Sequence, residues 1–232
     1  MHLTLEHALF RRGDFALQAD GIFCAGTHLL TGRIGSGKTA LGELLIGEIV
    51  PDSGMVNREE IFSPVLSMQF PEYHITTTSV DEEVISWGHD PAGILTEAGL
   101  SGRGDDDLLT LSRGELKRLH LACLFAGQYD LMVLDEPFAG LDDEARYWIV
   151  RRLDQWKDRI VVIISHDINT LPRIDLLWEM QDGILTCIGP IPSALLTWKN
   201  APPLIRYLIG LGLCPAGLSW ENLKEVVCRI PG

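Results

Sequence analysis

Two short, uninterrupted apolar runs dominate the hydrophobic pattern, at residues 131–134 and 160–164. Runs of this kind mark parallel strands that are covered on both faces. Between them, residues 142–156 have helical spacing. A strand is predicted at 27–31, leading into a glycine-rich loop, and another at 64–69. After the loop, the stretch up to Val50 puts Leu41, Leu44, Leu45 and Ile49 on one face of a helix. Pro51-Asp52-Ser53-Gly54 then ends it as a turn. Residues 1–30 read as short strands broken at Arg12-Gly13-Asp14 and at Asp20-Gly21. The succession of strand, loop, helix and strand predicts an α/β fold.

Residues 71–110 are different in character. Asp81, Glu82, Glu83 and the run at 105–107 make them acidic, and several glycines interrupt them, which predicts a small, mainly helical insertion. The run at 105–107 reads as a solvated loop. Ser112 is placed to N-cap a helix over 114–126, with Glu115 at the positive end of its dipole. From Ala201 onward a Pro-Pro start and a helix–turn–helix pattern predict a C-terminal appendage. Trp148, Trp156 and Trp178 lie in apolar or amphipathic runs and read as core.

Composition narrows the picture. With 232 residues and 46% hydrophobic content, the chain can bury a sizeable core. A formal net charge of -13 argues against a general nucleic-acid binder, because phosphate contacts need a basic surface. The five cysteines form no C-x-x-C pair and read as reduced, mostly buried thiols of a cytoplasmic protein. Glu6, Arg11, Arg12 and Asp14 break up any signal-peptide-like start. No segment has the length and apolarity of a membrane span, so any membrane role is expected to run through a partner.

The chemistry lies at the strand ends. Gly32-Arg33-Ile34-Gly35-Ser36-Gly37-Lys38-Thr39 fits G-x-x-x-x-G-K-[ST]. Glycines let backbone N–H groups curl around phosphate oxygens, and the following helix turns its positive end toward the anion. Lys38 is then expected to reach the β- and γ-phosphates, and the Thr39 hydroxyl to ligate Mg²⁺. The run 131–134 ends in Asp135 and Glu136, at the carboxyl end of a strand where ligands sit in α/β sheets. Asp135 suits the Mg²⁺ role, and Glu136 suits a general base that polarises the attacking water. The 160–164 run ends in Ser165-His166-Asp167, which brings His166 to the same edge.

Together these motifs resemble the ATP-binding cassette (ABC) ATPases, and the resemblance spans most of the chain. Leu111-Ser112-Arg113-Gly114-Glu115 resembles the family signature, Gln69 its Q-loop glutamine, Phe138-Ala139-Gly140-Leu141-Asp142 its D-loop and His166 its switch histidine. The resemblance implies a P-loop NTPase core of RecA-like type, with an antiparallel β N-terminal portion and a reduced α-helical subdomain. The implied organisation is an ATPase domain over 1–200, a helical subdomain over roughly 71–127 inserted in it, and a small helical extension over 201–232. ATP and Mg²⁺ are the implied cofactors. Gly32, Gly35, Ser36, Gly37, Lys38, Thr39, Ala40, Ser112 and Gly114 would meet nucleotide. Thr39, Gln69 and Asp135 would meet the metal, and Glu136, His166 and Gln69 would serve catalysis.

Finer strings point to a branch. Gln69-Phe70-Pro71-Glu72-Tyr73, Glu136-Pro137-Phe138-Ala139-Gly140-Leu141-Asp142 and the tail over 202–227 are similar to energy-coupling-factor (ECF) transporter ATPases, which include cobalt and nickel importers. That resemblance implies an ATP-hydrolysing subunit on the cytoplasmic side of the membrane, energising uptake of a vitamin or transition metal ion. Its partners would be a second ABC ATPase subunit and an integral membrane coupling subunit, with no nucleic acid. The alternatives are a soluble ABC ATPase acting on nucleic acid or ribosomes, and a weakly hydrolysing partner in a heterodimer. Three features depart from the pattern. Arg113 replaces the first signature glycine, His74 stands where glutamine is common, and the stretch from Gln69 to Leu111 is short. Phe10 and Phe15 are both candidates to stack on adenine.

Overall fold

The computed structural model describes residues 1–156, 158–167 and 171–229. Its strands are β1 (His2–Arg12), β2 (Phe15–Cys24), β3 (Gly26–Gly32), β4 (Ser53–Glu59), β5 (Pro64–Ser67), β6 (Leu131–Asp135), β7 (Ile160–Ile164), β8 (Leu176–Gln181) and β9 (Ile184–Pro190). Its helices are α1 (Lys38–Ile46), α2 (Val80–Ser86), α3 (Pro91–Ala98), α4 (Arg113–Ala126), α5 (Asp143–Leu153), α6 (Ala194–Thr197), α7 (Pro203–Gly210) and α8 (Trp220–Val227). Among the described residues, one sheet runs in the order β4-β1-β2-β9-β8-β3-β7-β6-β5. The stretch β8-β3-β7-β6-β5 is parallel, while β1 pairs antiparallel with β2 and β4. The α/β architecture with an antiparallel N-terminal portion is therefore as predicted.

The continuous apolar runs are explained by burial on both faces. Leu131, Val133, Ile160, Val162 and Ile164 pack on one side, with Leu41, Leu44 and Leu45 of α1. The alternate residues Met132, Leu134, Val161 and Ile163 pack on the other, with Ile149 and Leu153 of α5 and Leu121 and Leu124 of α4. Ile205, Leu208, Leu223 and Val226 of α7 and α8 join this second cluster, so the C-terminal helices share the main core. A third cluster lies in the helical insertion, built from Val80, Val84, Ile94, Leu95, Leu108, Leu116 and Leu119. Helix α4 feeds both this cluster and the main core.

Some expectations give way. No turn forms at Asp20-Gly21; β2 continues through both residues, and Gly21 pairs with Leu5. Gly21 has φ 145°, and a Cβ there would lie 2.7 Å from the ring of buried Trp178. The glycine thus serves a close approach instead of a turn. The Trp178 ring stacks on Phe23 at 4.4 Å between centroids, and its indole N–H donates to His28 Nδ1 at 3.0 Å. Because the indole can only donate, His28 carries its proton on Nε2 and donates to the Cys24 carbonyl at 2.8 Å. Helix α1 stops at Ile46, where Gly47 caps it in a left-handed conformation, so Ile49 packs on the core from beyond the helix. The strands β4, β8 and β9 were not anticipated, and of the five cysteines only Cys123 is buried, the other four lying on exposed strand or loop positions and the last helix end. The expected extension over 201–232 ends with three residues that lie outside the described ones.

Candidate nucleotide site

Strand register gathers the motifs at one edge. Leu30 pairs with Ile164, Ile164 with Asp135, and Leu134 with Ser67. The glycine loop, the two carboxylates, Ser165-His166 and Gln69 therefore all follow the carboxyl ends of adjacent parallel strands, where open α/β sheets bind ligands. Gln69 lies two residues beyond β5 and is exposed.

The loop runs from β3 into α1. Gly32 has φ 147°, and a Cβ there would fall 2.2 Å from the Met180 carbonyl, so only glycine fits against β8. The β8–β9 hairpin also braces the loop, because the Gly183 N–H donates to the Ser36 carbonyl at 3.2 Å. Ser36 is buried and its hydroxyl has no hydrogen-bond partner among the described residues. A buried hydroxyl without a partner is costly, and a phosphate oxygen in the loop would relieve it. Lys38 folds back on its own loop, donating to the carbonyls of Gly32 and Arg33, each at 2.9 Å. Burial lowers its pKa, while Glu136 and Asp135 oppose that shift. Ala40 lies in the first turn of α1. Beside the loop opens a cavity of about 370 Å³ lined by Gly32, Arg33, His166, Glu179, Trp198 and Arg206, among others.

Thr39 Oγ1 donates to Asp135 Oδ2 at 2.6 Å. Burial raises the Asp135 pKa, since its charge has little water around it. A hard cation would offset that desolvation, and a hydroxyl beside a carboxylate is a suitable oxygen donor set for one. Glu136 is buried too. Its carboxylate meets the His166 ring nitrogen Nδ1 at 2.6 Å, accepts the His166 N–H at 3.2 Å and lies 3.3 Å from the Ser165 hydroxyl. His166 itself is mostly exposed.

The signature segment sits on another element. Ser112 caps α4, accepting the Glu115 N–H at 3.3 Å while the Glu115 carboxylate accepts the Ser112 N–H at 2.8 Å. These bonds, with Arg103 at 2.5 Å, hold the Glu115 carboxyl down at about 2. Gly114 faces Gly140, whose carbonyl lies 3.6 Å from where a Cβ would be. Arg113 projects into solvent and pairs with Glu72 at 3.4 Å. His74, the other departure, accepts the Met68 N–H at 3.0 Å and stacks on buried His120 at 4.2 Å. Of the two candidate aromatics, Phe15 lies against the loop, close to Gly37, whereas Phe10 carries the Arg12 guanidinium at 5.5 Å.

Against known proteins, a family model described as ABC transporter matches residues 22–139. An energy-coupling factor transporter ATP-binding protein from Thermotoga maritima is 32% identical over 229 residues, covering 87% of this chain and 86% of that protein. The chain belongs to the ABC transporter ATPases. A second relative of this ATPase from the same organism, a probable metal transport system ATP-binding protein, is 30% identical over 203 residues, covering 81% and 84% of the two chains. Among solved structures, a bacterial Atm1-family ABC exporter with ATP bound superposes with a TM-score of 0.74 at 17% identity. That match covers 91% of this chain and 42% of the exporter chain, and it speaks for the ATPase fold alone. Nucleotide binding and ATP hydrolysis follow from the family.

Two residues of this ATPase site escaped sequence reasoning. Ser165 is fully buried and touches the Glu136 carboxylate. Lys117 is buried in α4 and donates to the Glu136 carbonyl at 2.5 Å and the Ala139 carbonyl at 3.2 Å. Burial lowers its pKa to about 8 despite Glu136, Asp135 and Glu72 nearby. A signal for Lys117 did exist: with His120, Leu121 and Leu124 it falls on one face at i, i+3, i+4 and i+7.

Proposed function

We propose that this ABC ATPase energises a membrane importer of the ECF type, for a vitamin or a transition metal ion. The observation that carries the reading is the 32% identity to an ECF transporter ATP-binding protein along 87% of the chain. In this reading the ATPase unit spans 1–200, a helical subdomain over roughly 71–127 is inserted in it, and 201–232 form a C-terminal extension. Among the described residues no helix is long and apolar enough to cross a membrane. In this reading the chain works at the cytoplasmic face, bound to an integral membrane subunit.

The residue roles follow from chemistry. The loop amides from Gly32 through Ala40, with Gly35, Ser36, Gly37 and Lys38, hold the phosphates. Lys38 exchanges the carbonyls of Gly32 and Arg33 for phosphate oxygens. Thr39, Asp135 and Gln69 hold Mg²⁺, which when bound neutralises phosphate charge. Glu136 orients and deprotonates the attacking water, and His166 reaches the γ-phosphate from the same edge. Ser112 and Gly114, on α4, serve the nucleotide held by a second ATPase subunit. Gln69 and the segment 70–74 carry the nucleotide state to the membrane subunit. Phe15 is the aromatic nearest the loop and the better candidate for the adenine.

The test is Glu136→Gln. It preserves shape and removes the base, so turnover should fall roughly 10²–10⁴-fold, while ATP holds the subunits together as a dimer on gel filtration. Unchanged turnover would remove Glu136 from the base role. For the transport reading, extraction of the native complex in mild detergent should recover a membrane protein. Recovery with ribosomes or nucleic acid instead would overturn it.

A further inference from the structure

Glu136 has φ 49°, in the left-handed region that side chains other than glycine disfavour. Backbone conformations of this kind persist where the surroundings over-determine them. Here every polar group of the residue is tethered. Its N–H donates to the Ile164 carbonyl at 2.9 Å. Its carboxylate is held by His166 and Ser165. Its carbonyl accepts the Ala139 N–H at 3.2 Å and the Lys117 ammonium at 2.5 Å. The last tether is the unusual one. Lys117 is 4% exposed, and its second bond, to the Ala139 carbonyl at 3.2 Å, closes a bridge across the turn from Glu136 to Ala139.

Burying an ammonium is expensive, and two carbonyls alone do not require a full charge. The charge has another use at this position. Glu136 and Asp135 favour the ammonium, as does Glu72 from the 71–74 turn, and the ammonium in turn disfavours protonation of His120 on the same helix. The first turn of α4 lies against the same loop, with Gly114 facing the Gly140 carbonyl. Lys117 thus connects the helix that begins at the signature serine with the backbone that aims the catalytic carboxylate.

We propose that Lys117 is a positioning residue for ATP hydrolysis: its ammonium, fixed on the carbonyls of Glu136 and Ala139, holds the Glu136 backbone in the turned conformation that directs its carboxylate to the attacking water. The proposal rests on Glu136 acting as the base. A lysine that merely fills space would affect stability and leave the chemical step alone. A positioning lysine acts on kcat through Glu136.

The experiment measures kcat, KM and ATP affinity of the full chain in its native complex, for wild type, Lys117→Met and Lys117→Arg, and for Lys117→Met in a Glu136→Gln background. Lys117→Met should lower kcat by roughly tenfold to a hundredfold, the scale of a misplaced reacting group. KM and ATP affinity should stay within about twofold, because ground-state binding is untouched. Lys117→Arg, which keeps charge and donors, should restore most of the rate. In the Glu136→Gln background, Lys117→Met should cost nothing further. Should the Met variant fail to fold, Lys117→Gln, which keeps an uncharged donor group, is read by the same criteria. Wild-type kcat in the Met variant overturns the proposal. So does an equal loss in the Glu136→Gln background, or a loss of ATP affinity in step with kcat. Full turnover in Glu136→Gln alone defeats the base role as well, which separates that failure from one confined to Lys117.

Discussion

Glu83 offers a sharp test of how the helical insertion is held together. It is a buried carboxylate on α2, 5% exposed. Its Oε2 accepts the Thr76 N–H at 3.0 Å, the Thr77 N–H at 3.2 Å and the Thr77 hydroxyl at 2.9 Å, and its Oε1 accepts the Trp87 indole at 3.1 Å. One side chain thus pins the stretch that follows the 71–74 turn. Glu83→Ala leaves two backbone N–H groups and an indole N–H without their acceptor. Each buried unsatisfied donor costs about 1–3 kcal/mol. Water reaches the part-buried threonines and relieves some of this, so about 3 kcal/mol in total is expected, within the usual range for breaking a buried network. For a chain of this size that lowers the melting temperature by roughly 6–12 °C. Glu83→Gln keeps one acceptor oxygen and turns an amide group toward a donor, so it should fall between Ala and wild type. Calorimetry gives the shift, and hydrogen exchange should show the lost protection concentrated at 76–87. A Glu83→Ala melt within about 2 °C of wild type would refute the reasoning, as would protection lost evenly over the chain.

Two further predictions concern the core beneath the glycine loop. Gly21→Ala would drive a methyl group into the Trp178 ring at a φ of 145°, where the neighbouring Phe23 leaves the ring no room to retreat; a loss of about 2–3 kcal/mol is expected in denaturant unfolding, with altered tryptophan fluorescence. Burial lowers the pKa of both His28 and His120, so both stay neutral in the native state while their unfolded counterparts protonate near pH 6.5. Their contribution to stability should therefore be level above about pH 7 and fall as pH drops below about 6.5, by up to about 1.4 kcal/mol per pH unit for each histidine; His120→Phe should reduce that slope by about one proton.

The parts of the fold that were legible owe this to burial on both sides. Strand β6 up to Leu134 and strand β7 throughout are apolar because α1 covers one face while α4 and α5 cover the other, and their ends coincide with the candidate site residues. The hairpin β8–β9 was hidden because its residues alternate weakly and β9 is largely exposed. Its turn, Asp182-Gly183, has both residues at positive φ, and Asp-Gly is the dipeptide that such two-residue turns prefer. At Asp20-Gly21 the same type of dipeptide misled, because glycine there answers to the width of an indole ring. Gly32, Lys38, Thr39, Asp135 and Glu136 could be found from local spacing, since loop and strand-end motifs are contiguous. Lys117 and Ser165 act across 19 and 29 residues of chain; the helical spacing places Lys117 on a buried face, but only tertiary packing reveals the partners of either.

Helix α4 explains why these distant residues belong to one device. Its N-terminus holds Ser112 in a capping box that Arg103 reinforces through Glu115. One and a half turns on, Lys117 grips the Glu136 carbonyl. Nearly a turn later His120 meets the Ser67 hydroxyl at 3.0 Å, at the end of β5 and two residues before Gln69. Toward its C-terminus the Cys123 carbonyl meets His89 of the insertion at 2.9 Å. The apolar residues of α4 are divided between the main core and the insertion core, so the helix can shift only by repacking both. A force on Ser112 therefore reaches the Glu136 backbone and the approach to Gln69 through a single stiff element, by way of Lys117 and His120. Whatever moves the signature end moves the Glu136 carboxylate and the 70–74 segment in concert. In the proposed transport reading, that mechanical constraint makes α4 the place where uncoupling substitutions should fall.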